Sequence, residues 1–361
     1  MRDSGVPARA DGSAWGWNER FVEVDGLRLR TVTQGEGPVV LMVHGFPGLA
    51  WSWRHQMQPL ADAGYCAVAI DSLGYGGSDR PLEQELYTAD RMQRYLLAVL
   101  DAYGADDAFI IGQDFGAQYA WNLAVRSPER VRGLLATIPY DYDLAGRAML
   151  GSQPRFDPSA PALPEGASPD RLPTERFAAM AAGHFVHLHY FQEVGAAEAE
   201  LGDRIPEFLA ALFHALSAKG DLWRWKSVAS ENSGYLDALP PPPPLPWDWL
   251  SEAEFAHFVA SYQHPDPMRR FIGGMNSYRT ADANWEQGRR WADHDVTVPT
   301  LFVYGAEDPS FGFFPDWEER MKRRVPGLQG IVKIDGAGHF VQQETPQVFN
   351  ETLLGFLRSF G

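Results

Sequence analysis

Gly112-Gln113-Asp114-Phe115-Gly116 places a carboxylate where a nucleophile belongs. Asp107-Ala108-Phe109-Ile110-Ile111 before it reads as a short buried strand, and residues 117–125 after it read as a helix. A small-x-nucleophile-x-small pentapeptide between strand and helix makes a tight turn that projects the central side chain. Serine is the usual centre. Aspartate there implies attack by a carboxylate oxygen and a covalent alkyl ester. An aspartate capping a helix N-terminus beside the helix dipole has the same local sequence. The pentapeptide alone leaves both readings open, and its surroundings decide.

Working outward, strand-like and helix-like stretches alternate over the first 140 residues. Residues 21–24 and 27–32 read as paired strands joined by Asp25-Gly26, a hairpin turn signal. Residues 38–43 are apolar enough for a strand buried on both faces. A helix over 51–63, a strand at 66–70, a helix over 88–103, the Asp114 unit and a strand at 131–138 follow. The alternation resumes with strands at 299–304 and 330–334 and helices around 317–323 and after Pro346. Repeated β–α units predict an α/β fold with a mainly parallel sheet covered by helices on both faces. From 139 to about 284 the chain is instead rich in helix formers, aromatics and proline, with no convincing strand. We read residues 141–284 as a helical cap inserted after the sixth strand, and residues 1–140 and 285–361 as the core. Residues 154–173 read as a proline-dense surface loop, and the proline run 240–244 as a stiff connector rather than a ligand for another domain.

Bulk properties exclude several classes. A chain of 361 residues with 45% hydrophobic and 13% aromatic content supports a sizeable core and argues against disorder. A net charge of −16 with no basic run argues against nucleic acid or an anionic membrane surface as partner. Cys66 is the only cysteine and reads as a core filler, so an intramolecular disulfide is excluded. Residues 1–14 are polar and lack the apolar segment of a secretory signal, and no uncharged apolar run is long enough to span a bilayer. A soluble cytoplasmic protein is expected. Oligomeric state is not legible.

Three further stretches bear on Asp114. In His44-Gly45-Phe46-Pro47-Gly48, directly after a strand, a glycine-rich turn aims the backbone N–H of Phe46 at the nucleophile, and the N–H of Phe115 is the second donor of an oxyanion hole. The side chains of His44 and Pro47 read as structural. In Gly336-Ala337-Gly338-His339-Phe340, after the last strand, His339 stands where a general base follows an acyl-type nucleophile in chain order. Asp308, just past the preceding strand, is placed to orient His339, with Glu307 pointing elsewhere and Asp141 and Asp143 as competing orienters. His184, His187 and His189 invite a metal reading, with the first two on one helix face, but no third ligand has suitable spacing. No metal and no cofactor is expected. Trp223, Trp225, Trp247 and Trp249 line a broad apolar pocket or pack within the cap.

The chain resembles an α/β-hydrolase of the epoxide hydrolase type from about residue 21 to the C-terminus, least over 144–175. The strings that carry the resemblance are the His44–Gly48 turn, Trp51-Ser52-Trp53-Arg54, Asp71-Ser72-Leu73-Gly74-Tyr75-Gly76-Gly77-Ser78, the Asp114 pentapeptide and Ser127-Pro128-Glu129-Arg130-Val131. Tyr190-Phe191-Gln192-Glu193 and Asn276-Ser277-Tyr278-Arg279 add to it in the cap. The resemblance implies two cap tyrosines that hold and protonate the epoxide oxygen. Tyr278 matches the second. His187 stands where the first belongs, a pairing that a smaller branch of related hydrolases shares. An imidazole there is expected to titrate near pH ~6.5 and so to add a pH dependence. Tyr190 substitutes for His187 if the helix register differs, and Trp223, Trp225 and Tyr190 are the candidate substrate-binding side chains.

The implied reaction is attack of Asp114 on an apolar small-molecule epoxide, followed by hydrolysis of the ester by water that His339 activates. A haloalkane or haloacetate dehalogenase uses the same aspartate attack. The first type usually has a halide-binding tryptophan after the nucleophile, where Phe115 stands, and the second has arginines close behind it, which residues 115–119 lack. A non-catalytic ligand-binding relative typically breaks the Asp114–Asp308–His339 set, which is complete here.

Overall fold

Asp25 and Gly26 take φ values of 53° and 78° and close a hairpin between β1 (Asn18–Val24) and β2 (Leu27–Gln34). The computed structural model describes residues 16–140, 172–291, 293–313 and 317–360. Six further strands follow: β3 (Val39–Val43), β4 (Cys66–Ile70), β5 (Ala108–Gly112), β6 (Val131–Ala136), β7 (Thr300–Gly305) and β8 (Leu328–Ile334). They form one sheet in the order β1-β2-β4-β3-β5-β6-β7-β8. The β1–β2 and β2–β4 pairs are antiparallel and the remaining pairs parallel.

The fully buried β3 shows how the sheet is covered. Its alternate residues Leu41 and Val43 join one apolar cluster, while Val40 and Met42 join another, as the two-residue period of a strand requires. On the Val40 side lies α1 (Arg54–Asp62), through Met57 and Leu60. The Leu41 side carries α2 (Ala89–Ala102) and α3 (Phe115–Arg126). The helix expected from residue 51 begins as a 3-10 turn over Ala50–Trp53 before α1 starts. Cys66 is a correction. It is half-buried at the start of β4, with Sγ 3.5 Å from Thr33 Oγ1, rather than inside the core.

Between β6 and β7 the described residues form α4 (Pro173–Ala181), α5 (His187–Tyr190), α6 (Ala196–Leu201), α7 (Ile205–Leu216), α8 (Tyr235–Ala238), α9 (Glu252–Tyr262), α10 (Ile272–Arg279) and α11 (Ala281–Gly288). Their only β-pairing is an isolated bridge between Trp247 and Leu250. Pro173, expected to end a loop, opens α4 at a position where its missing N–H costs nothing. Residues 154–171 of that expected loop lie outside the described residues, as do residues 141–171 of the expected cap. Beyond β7 come α12 (Trp317–Arg324), α13 (Val341–Glu344) and α14 (Pro346–Arg358), and α14 covers the α1 face through Phe349 and Leu353. No helix among the described residues is long and apolar enough to cross a membrane.

The insertion is bound to the sheet unit through polar side chains. Arg54, 1% exposed, donates from Nε to Glu254 Oε1 at 2.6 Å and from Nη1 to Gln343 Oε1 at 2.6 Å. A buried guanidinium is tolerable only when paired in this way. Arg80 donates to the carbonyls of Ser261 and Gly76. The strand order reverses around β3, so the crevice beyond the carboxyl ends of β3 and β5 is where such a sheet receives a ligand. Val43 and Gly112 pair there, and Gln113 N–H donates to Val43 O at 3.1 Å.

Candidate active site

Asp114 sits between β5 and α3 with φ 55° and ψ −124°, a conformation that costs a non-glycine residue about 1–3 kcal/mol. The flanking glycines make it attainable. A Cβ at Gly116 would stand 2.0 Å from Val43 O, and one at Gly112 would stand 2.5 Å from the Ala117 Cα. Gly45 has the same constraint from the other side, since a Cβ there would meet Asp114 Oδ1 at 2.1 Å. The Phe46 N–H donates to that Oδ1 at 2.8 Å. Phe115 is the first residue of α3, so its N–H has no helical carbonyl four residues back. The His44 side chain anchors the turn: Nδ1 lies 2.7 Å from Gly45 O, and the Ser72 N–H donates to Nε2 at 3.1 Å. Burial pushes the pKa of this imidazole down.

His339 faces the other carboxylate oxygen, with Nε2 3.4 Å from Asp114 Oδ2, and Nδ1 3.0 Å from Asp308 Oδ2. Asp308 is itself fixed by the Ser310 N–H on Oδ1 at 2.8 Å. Glu307 turns away and accepts the Gly336 N–H at 3.0 Å. Burial by itself would lower the His339 pKa, but Asp308 and Asp114 outweigh it and raise the group to about 10. At neutral pH His339 is therefore an imidazolium held between two carboxylates. Asp141 and Asp143 lie outside the described residues.

His187 and Tyr278 come together from α5 and α10. Their rings are 5.5 Å apart at 86°, and Tyr278 stands edge-on to Phe115 at 4.9 Å and to Phe46 at 6.4 Å. The expectation that His187 titrates near neutrality is corrected. Burial, only partly opposed by the Asp114 charge, lowers its pKa to about 4, so it is a neutral imidazole with an N–H to donate. His184 precedes the short α5 and does not share a helix face with His187; it packs instead on Trp225 at 4.9 Å. Tyr190 donates its hydroxyl to Glu200 Oε2 at 2.5 Å, which commits it elsewhere, and His187 is the residue of this pair that meets Tyr278. Trp225 is buried and borders His187 at 6.4 Å, while Trp223 stacks behind it at 5.8 Å with Lys226 Nζ 3.8 Å from its ring centre. Trp249 stacks on Phe340 at 5.7 Å, and Trp247 donates its indole N–H to Pro243 O at 3.2 Å. Among the described residues no group of three histidine, cysteine or acidic side chains is arranged to hold a metal.

Glu198 and Glu344 carried no signal in the sequence, and Arg279 and Gln192 appeared there only within quoted strings, with no role. Arg279 and Glu198 form a buried ion pair, and Arg279 also donates to Phe191 O at 2.8 Å. Gln192 donates to Tyr278 O at 3.2 Å. Together these bonds lock α5 to α10 and so His187 to Tyr278. Glu344 accepts the N–H groups of Gly338, Phe340 and Ala218 at 3.1, 3.0 and 2.8 Å, binding the His339 loop to the turn that follows α7.

A family model described as the alpha/beta hydrolase fold matches residues 38–162. Epoxide hydrolase A of Mycobacterium tuberculosis is 37% identical over 342 residues, covering 94% of this chain and 97% of that protein. An epoxide hydrolase of Caballeronia sordidicola is 30% identical, covering 95% of this chain and 94% of that protein. Among solved structures, epoxide hydrolase A of Mycobacterium thermoresistibile superposes with a TM-score of 0.78 at 38% identity, covering 95% of this chain and 98% of that one. An epoxide hydrolase from an endophytic Streptomyces gives 0.81 at 31% identity, with 96% of both chains covered. With this similarity running through both the sheet and the helical insertion, the chain belongs to the epoxide hydrolase family of the α/β-hydrolase fold.

Proposed function

We propose that the protein hydrolyses an apolar epoxide to a vicinal diol through a covalent ester on Asp114. One observation carries the reading: Asp114 has one oxygen on the Phe46 N–H and the other beside an Asp308-backed His339, with Tyr278 packed on the adjoining Phe115 and His187 on Tyr278. Oδ2 is the attacking oxygen, and Oδ1 becomes the ester carbonyl oxygen. Attack breaks one C–O bond of the ring. The released alkoxide takes a proton from the Tyr278–His187 pair, and the neutral His187 serves as a donor across the working pH range. The helical insertion acts as a cap, with Trp225 and Trp223 on the substrate side.

Ester formation removes the charge on Asp114 and with it one of the two carboxylates that hold the proton on His339. Burial then pulls the imidazole pKa down, and the proton it releases replaces the one given to the alkoxide. Neutral His339 takes a proton from water, the hydroxide attacks Cγ of the ester, and the Phe46 and Phe115 N–H groups hold the oxyanion. Collapse expels the diol oxygen, which takes the proton of the hydroxyl just added, so the diol leaves, Asp114 returns as a carboxylate and His339 stays protonated. Atoms balance as epoxide plus water giving diol.

Chromatographic assay of diol from a styrene-oxide-like substrate tests this reading. Tyr278→Phe is expected to lower kcat by about 10²–10⁴-fold, the usual range for losing a general acid. No diol from any of a panel of epoxides, or an unimpaired Tyr278→Phe enzyme, would overturn it.

A further inference from the structure

Tyr235 opens α8 and has no part in the scheme above, yet it lies against the reacting groups. Its ring stacks on His187 nearly parallel, 5.7 Å between centroids and 8° between planes. It also meets Phe191 at 5.2 Å and Phe208 at 5.5 Å, and both of those rings border Phe46. The backbone at this point is fixed by Glu200, which accepts the N–H groups of Tyr235 and Leu236, each at 2.9 Å.

The residue is 5% exposed, but its hydroxyl makes no hydrogen bond with any described residue, and it is not sealed within the packing. Three other buried tyrosines spend theirs on backbone carbonyls, Tyr87 on Pro81 O, Tyr95 on Leu86 O and Tyr262 on Gly48 O, and Tyr119 meets Ser277 Oγ at 3.0 Å. A hydroxyl at the open edge of an otherwise buried ring, with no partner among the described residues, is free to donate to a ligand. Burial and the nearby Asp114 charge both raise the pKa of Tyr235, so the group is a neutral O–H within electrostatic reach of the nucleophile.

We propose that Tyr235 is a specificity-determining residue whose hydroxyl donates to an uncharged oxygen substituent, a hydroxyl, ether or carbonyl oxygen, on the carbon next to the epoxide ring. This rests on the epoxide hydrolase reading. His187 and Tyr278 are occupied with the ring oxygen, and a donor one stacked ring beyond His187 falls beside it, where an adjacent substituent lies. An anionic substituent would meet the Asp114 charge at close range, so the acceptor is neutral.

Tyr235→Phe removes the oxygen and keeps the stack. The informative comparison is kcat/KM on phenyl glycidyl ether against the hydrocarbon epoxide in which a methylene replaces the ether oxygen. The variant is expected to lose about fivefold to tenfold on the ether, mostly in KM, and to stay within about twofold on the hydrocarbon, as losing one neutral hydrogen bond requires. Tyr235→Leu, which also removes the stack on His187, is expected to lower both. If Tyr235→Phe leaves the ratio of the two substrates unchanged while diol is still formed, the role of Tyr235 is refuted and the reaction stands. If wild-type protein makes diol from neither, the reaction itself fails and the inference with it.

Discussion

Replacing His339 by glutamine is expected to halt the reaction at its midpoint: one equivalent of epoxide is consumed, and the protein gains the mass of the substrate. Oδ2 of Asp114 can still attack, because the nucleophile, the Phe46 N–H and the Tyr278–His187 pair are untouched. What disappears is the imidazole 3.4 Å from Oδ2 that takes a proton from water. Steady-state kcat is expected to fall by about 10³–10⁴-fold or more, the scale on which a general base of a nucleophile–base–acid set is lost. Intact-protein mass spectrometry after mixing reads the trapped ester. Full turnover by the variant would mean that the base is elsewhere.

Asp114→Asn is expected to remove ring opening itself, with no adduct and a loss of about 10⁴-fold or more in kcat. It also has a signature in stability. The folded-state pKa of His339 is raised above its unfolded value, so its stabilising contribution is complete below about pH 6.5 and is lost as pH climbs toward about 10. Without the Asp114 charge the folded value is lower, and the alkaline decline is shallower and ends at lower pH. Urea denaturation between pH 7 and 10 is expected to show this difference; parallel pH profiles for the two proteins would contradict the coupling between Asp114 and His339.

The parts of this molecule that were legible in the sequence are those set by local chemistry. The strands β3, β4 and β5 announce themselves as short apolar runs ended by glycine or polar turns, and Asp114, Asp308 and His339 each follow a strand within a few residues. His187 was placed by its spacing from Tyr190-Phe191-Gln192. Its protonation state was not, because the pKa of about 4 comes from burial by α8 and its neighbours rather than from adjacent residues. The clamp that holds His187 to Tyr278 joins Arg279 to Glu198, 81 residues apart, and nothing local marks that pairing. Tyr235 lies 48 residues from His187 by their numbers and reaches it only through the packing of α5 on α8. Tyr190 shows the opposite hazard: a residue in a recognisable string whose hydroxyl is spent on Glu200.

A single turnover in ¹⁸O-labelled water, with excess enzyme over a styrene-oxide-like epoxide, tests the ester most directly. The oxygen that attacks the ring comes from Asp114, and the water oxygen enters the carboxylate. Mass spectrometry is therefore expected to find the label in the peptide containing Asp114 and none in the first diol released. Label in that first diol, with an unlabelled Asp114, would show that water attacks the epoxide directly and that Asp114 is no nucleophile.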